Sequence, residues 1–104
     1  MIKTKTIGQF LNLLNSILNE AVNEEARVKN GNSRWTEKEL KNIVIPEMNK
    51  LKLLAERGVV YYKYGKNQRM LESTYLITDS LKALDSTSLG RMITLLQDMY
   101  NSFS

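Results

Sequence analysis

The chain has 104 residues, 42% of them hydrophobic and 25% charged, which suits one small globular domain with its own core. With no cysteine and no histidine, disulfides, thiolate metal sites and cysteine nucleophiles are excluded, as are the commonest general base and the commonest metal ligand. Lys and Arg number 15 against 11 Asp and Glu, a net charge of +4, which is only a mild basic excess.

No run of about 18 apolar residues is present, so no membrane-spanning segment is expected. The opening Met1-Ile2-Lys3-Thr4-Lys5 leads into a broken apolar pattern rather than a signal-peptide core, which predicts a cytoplasmic protein. Ten Asn and ten Lys suggest an AT-rich coding sequence of bacterial or phage origin. There are no internal repeats and no linker-like stretch, so residues 1–104 are read as a single domain.

The first predicted element is a helix near 6–28. Ile7, Phe10, Leu11, Leu14, Ile17, Leu18, Ala21, Val22 and Val28 recur at three- and four-residue steps and form a wide apolar stripe. Thr6 and Gln9 have capping-box spacing. Asn12, Asn15, Asn19, Glu20 and Asn23 occupy the other face, and Lys29-Asn30-Gly31-Asn32-Ser33 reads as a turn.

A second helix is predicted over 36–57. Thr36 and Glu39 form a capping box, with Trp35 and Leu40 placed as its hydrophobic staple. Leu40, Ile43, Val44, Met48, Leu51, Leu54 and Ala55 carry the apolar face to Arg57, and Gly58 supplies a left-handed stop. Pro46 removes an N–H and crowds the carbonyl four residues earlier. A bend near 42–45 follows, and because the apolar phase runs through it unshifted, one bent helix is expected.

Residues 59–85 admit two readings. Val59-Val60-Tyr61-Tyr62-Lys63-Tyr64 is strand-like, Gly65-Lys66-Asn67 is a turn, and Ser73-Thr74-Tyr75-Leu76-Ile77-Thr78 has strand propensity, which makes a β-hairpin near 59–78. Alternatively Met70, Ile77, Leu81 and Leu84 share one helical face and 68–84 is a helix. The helix is preferred and the hairpin is kept as the alternative. A last helix follows from Leu89, Met92, Ile93, Leu96, Met99, Tyr100 and Phe103, with N-cap oxygens in Ser86-Thr87-Ser88 and Gly90 as a mild weakness in its first turn.

Chemistry without His or Cys would need paired carboxylates or an activated lysine or serine. Glu20 and Glu24, one turn apart on the first helix, could hold a hard cation, but the expected reading is a solvated polar face. Glu37 and Glu39 suit a helix N-terminus; Asp79 and Asp85 read as turn or cap residues. No phosphate-loop, dinucleotide or calcium-loop spacing occurs. No catalytic residue, metal or cofactor is expected.

The more distinctive local feature is Tyr61, Tyr62, Lys63, Tyr64, Lys66 and Arg69. Between residues 59 and 70 there are three positive charges and no negative one, and aromatic rings interleaved with cations attract phosphate backbones or acidic protein surfaces. Leu51-Lys52-Leu53-Leu54-Ala55-Glu56-Arg57-Gly58-Val59-Val60, a basic turn with Gln68-Arg69, and Tyr75-Leu76-Ile77-Thr78 together resemble the recognition helix and wing of winged-helix transcription regulators. The resemblance implies that Asn49, Lys50 and Lys52 face a DNA major groove, that Lys66 and Arg69 form a wing tip, and that 75–78 is a strand. It covers about a third of the chain. The sequence departs from the family in having only 23 residues from Thr36 to Gly58, about one turn short of a helix-turn-helix.

Taken together, the sequence predicts a mainly α, small four-helix bundle-like domain: an antiparallel helical hairpin followed by two shorter C-terminal helices. The expected function is that of a non-enzymatic protein-interaction module of adaptor, regulatory or immunity type, with Tyr61, Tyr62, Lys63, Tyr64, Lys66 and Arg69 as its contact residues. DNA binding as a winged-helix transcriptional regulator, with a recognition helix near 46–57 and a wing near 59–78, is the alternative. A homodimer through Met99, Tyr100 and Phe103 is a further expectation, on the ground that folding alone would leave them uncovered.

Overall fold

The computed structural model describes residues 7–58, 70–79 and 81–102. Among the described residues there are four helices and no β-strand. Helix α1 spans Ile7–Lys29. It buries Phe10, Leu14, Ile17, Ala21 and Glu24, the three- and four-residue steps of one helical face. It ends as its Gly and Asn predict. Gly31 takes φ +74°, its N–H donates to Val28 O at 3.1 Å, and the Asn32 N–H donates to Arg27 O at 2.8 Å. These are the paired bonds of a Schellman stop.

Helix α2 is one continuous rod in three parts, α-helical at Glu37–Glu39, π-helical at Leu40–Val44 and α-helical again at Ile45–Glu56. The capping box is formed. The Glu39 N–H donates to Thr36 Oγ1 at 3.1 Å and the Thr36 N–H donates to Glu39 Oε1 at 2.8 Å. The bend expected near 42–45 takes the form of a wide turn, in which the Ile45 N–H reaches back to Leu40 O. The cause is Pro46, which lacks a donor and needs room for its ring against the preceding turn. Leu40, Val44, Met48, Leu51 and Ala55 stay on the buried face, so the helix crosses the proline without losing its core side. Gly58 closes it at φ +79°.

Helix α3, Glu72–Asp79, settles the ambiguous stretch. The second strand of the hairpin alternative, 73–78, is helical, which also removes the strand that the winged-helix resemblance implies at 75–78. The helix is shorter than the expected 68–84. Ile77 and Leu84 are buried, whereas Met70 is exposed and Leu81 fully so, so the four do not share one buried face. The first strand and the basic turn, 59–69, lie outside the described residues.

A single 3₁₀ turn, Leu84–Ser86, then leads into α4, Ser88–Ser102. Here Gly90 is a necessity rather than a weakness. A Cβ at that position would stand 1.9 Å from Leu84 O, because the 3₁₀ turn folds directly onto the first turn of α4. Thr87 holds this corner. Its Oγ1 accepts from the Gly90 N–H at 3.0 Å, donates to Leu84 O at 2.6 Å and accepts from Trp35 Nε1 at 3.2 Å.

The helices alternate in direction. Helix α1 packs on both α2 and α4; Trp35 meets Thr87 at one end, and Phe10 stacks on Tyr100, with ring centroids 6.1 Å apart, at the other. Helix α3 closes the fourth side against α4 and the π-turn. Met99 and Tyr100 are buried by this packing, which removes the ground for expecting them to need a second copy; Phe103 lies outside the described residues. Among the described residues no helix is long and apolar enough to cross a membrane.

Candidate functional site

Two polar clusters are set into this core, and both serve the scaffold. At the α1–α2 turn, Glu24 is only 4% exposed. Its carboxylate accepts from Arg27 Nη1 at 2.6 Å and from Ser33 Oγ, whose oxygen in turn accepts the Trp35 N–H at 2.9 Å. Arg27 also reaches Glu20 at 2.9 Å, and hydrogen bonding to Glu20 and then Glu24 raises the guanidinium pKa above its ordinary value. The expectation of a solvated face fails for Glu24, which is a buried brace for the turn. Among the described residues no group of acids is arranged to hold a metal ion.

The second cluster binds α3 in place. Glu47, on α2, accepts from the Glu72 and Ser73 N–H groups, each at 2.8 Å, and from Ser73 Oγ at 2.6 Å. Gln97, on α4, accepts from the Leu71 N–H at 2.9 Å and from Thr74 Oγ1 at 2.8 Å. The free N–H groups of a helix start are thus satisfied by side chains from two other helices, a carboxylate also suiting the positive end of the dipole.

Pinned in this way, α3 stands beside the π-turn and leaves an open groove of about 390 Å³ between them. Ile43 and Leu76 are half-buried in it, and Tyr75 is 51% exposed. Three carboxylates edge it: Glu39 from α2, and Glu72 and Asp79 from the two ends of α3. Lys82 already sits on one of them, its Nζ 2.9 and 3.0 Å from the two oxygens of Glu39. The groove joins an apolar floor to an acidic rim, the combination that receives an amphipathic segment.

Tyr61, Tyr62, Lys63, Tyr64, Lys66 and Arg69 all lie outside the described residues. Of those implied by the winged-helix resemblance, Asn49 and Lys50 are exposed on α2 and Lys52 is half-buried. Sequence reasoning missed Tyr75, Glu72 and the groove itself. The signal available was the spacing of Glu72, Tyr75 and Asp79 on one side of the preferred 68–84 helix; what the sequence does not carry is the π-turn that stands beside that side.

No protein-family model matches the chain, and no curated protein or solved structure matches it either.

Proposed function

We propose that the chain is a non-enzymatic interaction module that works in the cytoplasm by docking on a protein partner. The observation that supports this reading is where its polar groups are committed. The buried ones, Glu24, Ser73, Thr74 and Gln97, are bonded within the scaffold, while the exposed Glu72, Tyr75 and Asp79 line an open groove. The scaffold consumes its interior polarity and offers a surface. The stretch Tyr61, Tyr62, Lys63, Tyr64, Lys66 and Arg69 is the second contact surface in this proposal. It rests on the segregation of three cations and three tyrosines in the sequence, between the Gly58 stop and the pinned start of α3.

A photo-crosslinking amino acid at Tyr62 or Tyr64 tests this in the cells that carry the gene. A discrete protein adduct is expected, reduced when Lys63, Lys66 and Arg69 become alanine and absent when the crosslinker replaces Glu25. The competing class is duplex DNA, favoured by the exposed Asn49 and Lys50 on α2. Anisotropy of a labelled mixed-sequence duplex at two salt concentrations separates the classes. Affinity that falls steeply with salt and depends on Lys63, Lys66 and Arg69 would overturn the protein-docking reading.

A further inference from the structure

We infer that the groove between the π-turn and α3 receives a cationic amphipathic helix of a protein partner. The inference rests on the docking reading above and names the chemistry of the segment that docks. Glu72 and Asp79 are seven residues apart on one helix, about two turns or roughly 10 Å, and Tyr75 and Leu76 lie between them. A ligand helix with Lys or Arg at i and i+7 and apolar residues between would place one cation on each carboxylate and its apolar face on Tyr75, Leu76 and Ile43.

Charge complementarity selects this occupant. The chain as a whole is positive by +4, yet every charged residue that lines the groove, Glu39, Glu72 and Asp79, is acidic. The bond from Lys82 to Glu39 shows an ammonium group seated on that rim. Tyr75 has the character of an interface anchor, a large ring with a polar tip and few rotamers to lose. It is held half out of the core on a helix that Glu47 and Gln97 fix from beneath, so the surface is formed before any ligand arrives.

The full-length protein can be titrated into a fluorescein-labelled helix-forming Leu/Lys peptide with lysines at i and i+7, and into its Leu/Glu counterpart. Saturable binding of the Leu/Lys peptide alone is expected, with amide shifts in the protein concentrated at residues 39–43 and 72–79. The double variant Glu72→Lys, Asp79→Lys should weaken it by about tenfold or more, and Tyr75→Ala should weaken it independently. Glu25→Lys, on α1, should leave it unchanged. Circular dichroism of each variant confirms that loss of binding is not loss of fold, and Tyr75→Phe supplies a milder change at the same place.

Equal binding by the charge-reversed variant, or shifts that map elsewhere, would overturn the inference. So would sedimentation showing that two copies of the chain associate through this groove and separate on Tyr75→Ala, since the occupant would then be the protein itself. If the peptide fails while the Tyr62 and Tyr64 adducts persist in cells, docking stands and the chemistry assigned to the groove falls. If the adducts fail as well, the docking reading falls with it.

Discussion

The turn that joins α1 to α2 and the start of α3 solve the same problem with different reaches of chain. Each places polar groups at the edge of an apolar core and must satisfy the backbone donors left over at a helix end. At the turn, the partners are neighbours: Glu24, Arg27, Ser33 and Trp35 lie within a dozen residues, and the Thr36–Glu39 capping box completes the junction. At α3 the donors belong to residues 71–74 and the acceptors to Glu47 and Gln97, separated from them by 23 to 26 residues. A short-range junction forms with the helices it joins. A long-range one exists only after the bundle has assembled, so α3 depends on tertiary structure for its own beginning.

Gly90 sets the largest expected effect and would break the simple form of that comparison. Helix propensity alone predicts that Gly90→Ala stabilises by about 1 kcal/mol. The structure predicts the opposite sign. The new methyl would stand 1.9 Å from Leu84 O, and a backbone carbonyl inside a packed corner has nowhere to go. A loss of about 3 kcal/mol is expected, read as a fall in Tm of about 12 °C or more. An unchanged or raised Tm would show that the 3₁₀ turn does not pack on α4 as described.

Glu47→Ala comes next and sharpens the contrast. It removes one carboxylate from three donors, one of them the hydroxyl of the fully buried Ser73. A cost of about 2 to 3 kcal/mol is expected. Its signature is local: amide exchange should accelerate across 72–79 before it does in α1, α2 or α4. Glu24→Ala should cost somewhat less, about 2 kcal/mol, with no such confinement, because the α1–α2 turn underlies the whole hairpin. If both variants lowered protection uniformly, the distinction between a self-sufficient junction and a borrowed one would collapse.

Legibility in the sequence follows the same division. The C-terminal end of α1 and both ends of α2 are readable from Gly31, Gly58, Thr36 and Glu39, because each acts on its own few neighbours; Thr6, of the capping box expected at the start of α1, lies outside the described residues. The bend at Pro46 was readable as well, although its resolution into a π-turn was not, since several local geometries relieve the same clash. The 73–78 stretch is ambiguous in the sequence because Thr, Tyr and Ile favour a strand intrinsically, and what overrides them is Glu47 on α2 and Gln97 on α4, partners that the stretch meets only in the assembled bundle. The burial of Glu24 is hidden from the sequence for a related reason. Its burial depends on Ser33 and Trp35 folding back across the turn, and helical periodicity carries no information about that. The groove inherits this blindness. Its acids and its tyrosine become neighbours only when α3 is a helix and is pinned beside the π-turn.

The smallest effect concerns the exposed pair at the start of α2. Lys41 Nζ is 2.7 Å from Glu37 Oε2 at i,i+4 spacing. Hydrogen bonding and charge from Lys41 hold the Glu37 carboxyl below its ordinary pKa, and hydrogen bonding and charge from Glu37 hold the Lys41 ammonium above its own. The signs of the two linkages are opposite. The Glu37 contribution is present above the carboxyl's unfolded pKa and is lost as pH falls through its depressed folded value. The Lys41 contribution is present below the ammonium's unfolded pKa and is lost as pH rises through its raised folded value. Both therefore operate together across the neutral range and fade in acid and in strong base. Both groups are solvent-exposed and screened by salt, so Lys41→Met should change Tm little at neutral pH and less still at high salt. It should return the Glu37 carboxyl toward its ordinary titration, observable by NMR. A large Tm change would mean that the α1–α2 junction leans on its surface charges and not on the capping box and the buried Glu24, which is the opposite of what its geometry indicates.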